Sequence, residues 1–524
     1  MSTVEAVSAR TIRARSILKD LSGEELRALA KAGEKTTEYG SPVYATRIKN
    51  RSAKKTYVVS DGVQVGVMQQ AIDGGRAAEK IKEVQDALSR MDLIQVDRRM
   101  GLSPEAPIHC RLYVPREYAR IAYMWHNMLF PSDSSKEPDF ISVYVPDWPE
   151  TLIFLDVNQG YTYIMGTDYP GEAKKSMLRQ AMYWIKRRGG LGLHAGSKIL
   201  RVTGPDGKLR DVGFLLFGLS GTGKTTLTLH DHGLKQPEQA IIKQDDVVLM
   251  TRGGKAYGTE DGFYIKTEGL EPSQTVLWGA ATHSTAAYEN IAVDEKGKVD
   301  FLDTSITSNG RGVVLRRFIQ GTGDGIDLDK ANKIVFITRR NDVVPVCARL
   351  TSEQAAAYFM LGESIETSAG DPTKAGQAKR EVGTNPFIVG PEADEGNRLL
   401  QILRENPDMQ AYILNTGSIG ANANVEAGKA GTKGSAGEKI TIKISTELMK
   451  QIAKEGIRWQ KDPDWGYEVP VEVPGVDLAK YDPRRHYSTE EYARLVDKLR
   501  AERREWLSKF PGLDPVIPKA VEKA

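Results

Sequence analysis

A chain of 524 residues exceeds what one hydrophobic core usually serves, so two lobes or more are expected, with a ligand site lying between them. Its 72 basic and 69 acidic side chains nearly cancel to +3 and form no concentrated basic block, which argues against a nucleic-acid binder. Cys110 and Cys347 lie far apart without metal-type spacing, against a disulfide framework or a zinc site, and apolar runs such as residues 214–217 are far too short for a bilayer. With no uninterrupted apolar segment in the first ten residues, the expectation is a soluble, unexported protein of the reducing cytoplasm.

In chain order, Ser22 and Glu25 form a capping box ahead of Leu26, Leu29 and Ala30, predicting an amphipathic helix over residues 23–32. Residues 40–165 alternate β-rich runs (Thr56-Tyr57-Val58-Val59, Ile141-Ser142-Val143-Tyr144-Val145, Leu152-Ile153-Phe154-Leu155) with helical stretches, one over 76–91, so this lobe reads as mixed α/β. Residues 172–187 read as a helix stopped by Gly189-Gly190, and the turn Gly204-Pro205-Asp206-Gly207 leads into a strand over 212–217. The expected division is an α/β domain over 1–205 and a nucleotide-binding domain over 206–524. Residues 362–385 and the Gly/Ala-rich residues 420–437 read as loops, with a lid and a featureless surface segment both open. Near the end, Ser488 and Glu491 cap a helix whose Tyr492, Leu495, Val496 and Leu499 make one apolar stripe, a docking face.

The strongest signal is Gly218-Leu219-Ser220-Gly221-Thr222-Gly223-Lys224-Thr225, a complete phosphate-loop pattern behind the apolar strand Phe214-Leu215-Leu216-Phe217. The glycines let successive backbone N–H groups converge on phosphate oxygens, Lys224 neutralises the outer phosphates, and Thr225 can hold magnesium. Such a loop establishes nucleotide binding and leaves the reaction open, because transporters, motors, GTPases and kinases share it. Downstream, Ala240-Ile241-Ile242 reads as a strand leading to Asp245-Asp246, where a carboxylate would approach a phosphate-bound metal. Upstream stand Tyr169-Pro170-Gly171-Glu172-Ala173-Lys174-Lys175 and His194. Alone, a single histidine and paired lysines are ordinary structural features.

Taken in order, Arg51-Ser52-Ala53-Lys54, Tyr169 to Lys175, Leu193-His194, the loop from Phe217 to Thr226, Asp245-Asp246, Asp261-Gly262-Phe263-Tyr264-Ile265-Lys266-Thr267, Asn309-Gly310-Arg311, Arg349-Leu350-Thr351 and Ala411-Tyr412-Ile413-Leu414-Asn415-Thr416-Gly417 resemble the ATP-dependent phosphoenolpyruvate carboxykinases. The match runs from about residue 45 to about residue 487. The resemblance implies a two-lobed mixed α/β fold with a phosphate-loop lobe, usually monomeric, that converts oxaloacetate and ATP to phosphoenolpyruvate, ADP and CO2 for sugar synthesis. It further implies that Lys175, His194 and Asp246 ligate Mn2+ and that Thr225 holds Mg2+ between the β- and γ-phosphates. Lys175 must then be neutral, its pKa depressed by the metal and by neighbouring cations such as Lys174. Arg51, Tyr169 and Ser220 would hold oxaloacetate, with Lys224, Arg311 and Lys266 at the transferred phosphoryl. Gly218, Leu219, Gly221, Thr222, Gly223 and Thr226 would line the phosphates, Glu271 would contact the nucleotide, and Lys439, Ile440 and Ser445 would lie on the adenine side.

The chain departs from the family pattern in places. Val-Val-Leu-Met follows Asp246 where Glu-His-Gly-Trp is usual, Lys439 replaces arginine, and Ala-Gly-Ser rather than Cys-Ser-Ala follows His194. The links from His194 to the loop and from the loop to Asp245 are also longer. These departures bear on base preference, leaving GTP open as an alternative to ATP. A same-fold kinase acting on another small acid or alcohol, and a non-catalytic nucleotide sensor, are the further alternatives; the presence of Arg51 and Tyr169 speaks against the first, and of Lys175, His194 and Arg311 against the second.

Overall fold

The computed structural model describes residues 8–365, 377–421 and 437–522. By compactness the chain divides into two units, each discontinuous in sequence. Unit 1 comprises residues 1–184, 258–322 and 387–390, and unit 2 comprises 185–257, 323–386 and 391–524. A single cut near residue 205 falls at the turn joining Leu191–Thr203 to Leu209–Phe217, two strands paired antiparallel from Ala195↔Phe217 to Thr203↔Leu209. The turn residues read correctly, and they close a hairpin within unit 2.

Unit 1 is built on a nine-stranded mixed sheet in the order Ser16–Leu18, Asp92–Met100, Ile108–Pro115, Phe140–Val145, Tyr161–Met165, Leu152–Asp156, Thr56–Val59 and Gln70–Ile72, with Phe130–Pro131 paired to Asp92–Met100. The helix Gly74–Leu88 starts where the Asp73 side chain accepts from the Arg76 N–H, and it buries Ala77, Ile81, Val84 and Leu88 with Val143, Phe154 and Tyr163 of the sheet. The predicted helix over 23–32 is Gly23–Ala30, with its capping box formed on both sides. A second sheet, ordered Gly262–Lys266, Arg311–Leu315, Ala287–Glu289, Pro42–Tyr44, Glu34–Thr36, carries much of the chemistry described below.

Unit 2 is built on a ten-stranded sheet. At its centre Leu209–Phe217, Lys333–Thr338 and Gln410–Asn415 run parallel, with registers Phe214↔Lys333 and Lys333↔Gln410. Such strands are apolar throughout because both faces are covered: Phe214, Leu216, Val335, Ile337 and Leu414 share a core with Leu448, Met449 and Ile452 of the helix Ile442–Lys454. Parallel strands all end on one side, where ligands of α/β sheets bind, and the phosphate loop leaves the end of the first of the three. The helix Thr489–Leu507 is capped by Ser488 as predicted, and Tyr492, Val496 and Leu499 are buried with Leu495 half-buried. Of the first expected loop only 366–376 lies outside the described residues; the rest is not simply loop, since Glu363–Ile365 pairs antiparallel with Ala378–Arg380 and Val382–Thr384 forms a 3-10 turn, whereas the second expected loop lies outside them at 422–436. Among the described residues no helix is long and apolar enough to cross a membrane.

Candidate active site

In unit 2 the phosphate loop leaves Phe217, turns Ser220 and Gly221 to the surface, buries Thr222, and enters the helix Lys224–Leu229. Gly221 and Gly223 hold φ values of +83° and +94°, which side-chain-bearing residues rarely adopt, so both positions require glycine for conformation. The neighbouring strand ends brace the loop: Thr416 Oγ1 donates to the Thr222 carbonyl at 2.7 Å, and Arg339, following Lys333–Thr338, donates to the Gly221 carbonyl at 3.1 Å.

Beside Lys224 sit His194 and Asp246, brought together because Leu191–Thr203 pairs antiparallel with both Gln239–Gln244 and Val247–Met250, which flank Asp245-Asp246. His194 Nε2 lies 2.8 Å from Asp246 Oδ1, and the Lys224 ammonium is 3.3 Å from that nitrogen and 3.4 Å from that oxygen. His194 Nδ1 is 2.6 Å from the Thr384 carbonyl. A carbonyl only accepts, so Nδ1 carries a proton and Nε2 is the nitrogen left facing the carboxylate. Committing Nδ1 to a backbone carbonyl in this way is how a protein orients a metal-ligating histidine.

In unit 1 a second cluster forms at the start of the helix Gly171–Arg187. Tyr169 is buried, and the Lys175 ammonium lies 4.6 Å from its ring centroid and 3.8 Å from the Glu172 carboxylate. Burial lowers the Lys175 pKa to about 7; Glu172 opposes the fall, and Arg311, Arg51 and Arg179 reinforce it. Lys174, the neighbouring cation expected to contribute, is itself paired with Glu260 at 3.1 Å. The same Glu172 accepts from the Ser52 N–H at 2.7 Å, which ties down the loop carrying the exposed Arg51.

The second sheet completes this cluster. In the strand Arg311–Leu315, Arg311 stands between Lys266 on one side and Glu289 on the other, in direct register. Its guanidinium is held by Asn309 Oδ1 at 2.8 and 3.1 Å and lies 5.6 Å from the Tyr264 ring, while Asn309 donates to the Lys49 carbonyl. Tyr264 donates at 2.5 Å to Glu289, whose carboxyl is pushed up to about 7 by burial. Lys266 is paired with Glu268.

The model of the phosphoenolpyruvate carboxykinase family matches residues 15–479. The chain belongs to that family. Among its relatives, the phosphoenolpyruvate carboxykinase (ATP) of Aeropyrum pernix is 37% identical over 432 residues, covering 82% of this chain and 83% of the relative. Proteins of the same name from Chelativorans sp. and Rubrobacter xylanophilus are 27% and 26% identical over 486 and 512 residues, covering 87% and 90% of this chain and 84% and 88% of the relatives.

For a carboxykinase, the remaining expected residues distribute as follows. Glu271 lies in unit 1, in the segment before the helix Thr275–Ala281. Lys439 is exposed on the strand Glu438–Lys439, Ile440 is buried with its N–H on the Gly417 carbonyl, and Ser445 is buried in the first turn of Ile442–Lys454; all three are in unit 2. Among the described residues no group of three or more His, Cys, Asp or Glu side chains is placed to hold a metal. In unit 2, His194 with its far nitrogen committed and the Asp246 carboxylate are donors that suit a divalent cation; in unit 1, Lys175, its pKa lowered to about 7, is an amine whose neutral form suits one as well.

Sequence reasoning passed over Glu172, Glu289, Arg339 and Thr384. Glu172 stood inside the Tyr169 to Lys175 motif and Arg339 follows an apolar run, so a signal existed for both. Thr384 acts through its backbone on a residue 190 positions away, for which sequence offers none.

Proposed function

We propose that this protein is an ATP-dependent phosphoenolpyruvate carboxykinase, converting oxaloacetate and ATP to phosphoenolpyruvate, ADP and CO2. The observation that carries the reading is Lys175: a lysine against a buried tyrosine, surrounded by arginines and lowered to about 7, has no use in a generic phosphate-loop kinase. Arg51 and Tyr169 hold the acid, and Glu172 keeps the Arg51 loop in place. Loss of CO2 breaks the bond to the carboxylate carbon and leaves its electron pair in the enolate of pyruvate. The enolate oxygen attacks the γ-phosphorus, and the bond to the ADP oxygen breaks. Lys224 follows the γ-phosphate charge, and Arg311 and Lys266 offset charge on the transferring group. A divalent cation held by Lys175, His194 and Asp246, with another at Thr225 beside the nucleotide, would supply Lewis-acid polarisation and charge neutralisation; Mn2+ and Mg2+ suit these donors. The test follows phosphoenolpyruvate formation from oxaloacetate, Mn2+ and Mg2+ with ATP, GTP or no nucleotide. Product with ATP is expected, and no product with any nucleotide overturns the reading.

A further inference from the structure

The phosphate-loop helix Lys224–Leu229 lies along one face of the strand Leu191–Thr203. Alternate strand residues share a face, and three of them meet the helix in order along its length. His194 touches Lys224 at its start. Gly196 lies under Thr228, where an added Cβ would stand 2.2 Å from Thr228 Oγ1. Lys198, beside a register shift in the pairing with Gln239–Gln244, reaches the far end. It is fully buried, and its amine meets the Leu227 carbonyl at 3.0 Å, the His230 carbonyl at 2.5 Å and His232 Nε2 at 3.0 Å. His232, buried at φ +58°, turns Nδ1 to the Thr446 carbonyl at 3.1 Å, in the helix Ile442–Lys454.

Counting protons fixes the charge of this cluster. Its four contacts need four protons, three on Lys198 and one on His232, or two on each; either way it carries one positive charge. With one proton fewer, a contact is lost. The charged neighbours act against a second charge on the ring: Asp231 favours the Lys198 ammonium, while His230 and Lys450 disfavour a charged His232. Burial lowers His232 far below its ordinary value and Lys198 to about 7, so the charge sits on Lys198 and is lost as pH rises past about 7.

We propose that Lys198 is a positioning residue for the nucleotide: its buried ammonium fastens the far end of the phosphate-loop helix and, through His232, the helix that follows Lys439 and Ile440. The proposal rests on the phosphate loop binding ATP and is independent of the fate of the γ-phosphate. MgATP affinity is therefore measured by calorimetry without oxaloacetate, which separates its failure from failure of the carboxykinase reading. Lys198→Met is expected to weaken MgATP binding about tenfold, the loss of one charged hydrogen-bonding centre behind the loop. Wild-type affinity is expected to fall between pH 6 and pH 8.5, and the Lys198→Met affinity to lack that component. His232→Gln, which keeps an acceptor for Lys198, is expected to bind more tightly than His232→Phe, and this pair carries the test should Lys198→Met not fold. A lowered melting temperature with wild-type MgATP affinity and pH profile, or equal affinity in His232→Gln and His232→Phe, overturns the proposal.

Discussion

The phosphate-side cluster of unit 2 and the acid-side cluster of unit 1 achieve function by opposite means. The phosphate side is mostly backbone: two positive-φ glycines shape the loop, its carbonyls are braced by Thr416 and Arg339, and Lys224 stays partly exposed. The acid side is mostly side chain: Lys175, Tyr169, Arg179 and Glu289 are withdrawn from water, so Lys175 and Glu289 are both displaced toward 7. The contrast teaches where each cluster is fragile. A backbone site fails when its supports move, and a buried ionic site fails when one member is removed and its partners are left uncompensated.

The largest effects should therefore come from single side chains that no backbone can replace. Arg311→Ala is expected to lower kcat by at least about 10³-fold, since it removes the cation standing between Lys266 and Glu289, and His194→Ala to do the same from the phosphate side; steady-state phosphoenolpyruvate formation measures both. Wild-type-like turnover in Arg311→Ala would break the comparison at once. Next comes Glu172→Ala, which frees the Ser52 N–H and removes the carboxylate paired with Lys175; a loss of about 10²-fold in kcat/KM for oxaloacetate is expected, with MgATP affinity kept.

What could be read from sequence follows the same contrast. A backbone site is contiguous, so residues 218–225 announced themselves, as did the capping boxes and the turn at residues 204–207. The acid side was recovered through family resemblance; the tuning of Lys175 comes first from burial, which sequence does not show, with Arg311, Arg51 and Arg179 reinforcing it, while the adjacent Lys174 is itself paired with Glu260. A turn motif such as residues 204–207 does not reveal whether its flanking strands part or pair, and here they pair as a hairpin. Lys198 gave no sign, since a lysine in a strand reads as surface until its burial is known.

Smaller effects probe the supports. Gly196→Ala places a methyl against Thr228 and is expected to weaken MgATP binding about tenfold by calorimetry while leaving the acid side untouched. Lys439→Ala, at an exposed position, is expected to weaken it only about threefold. Equal losses in the two variants would mean that the strand face does not seat the helix.

The central claim is that one chain removes CO2 from oxaloacetate and delivers the γ-phosphoryl of ATP to the resulting enolate. The most direct measurement supplies γ-labelled ATP with oxaloacetate, Mn2+ and Mg2+ and follows label and CO2 together. One labelled phosphoenolpyruvate for each CO2 released is the predicted result. Label appearing as inorganic phosphate, or in another acceptor without release of CO2, would contradict it.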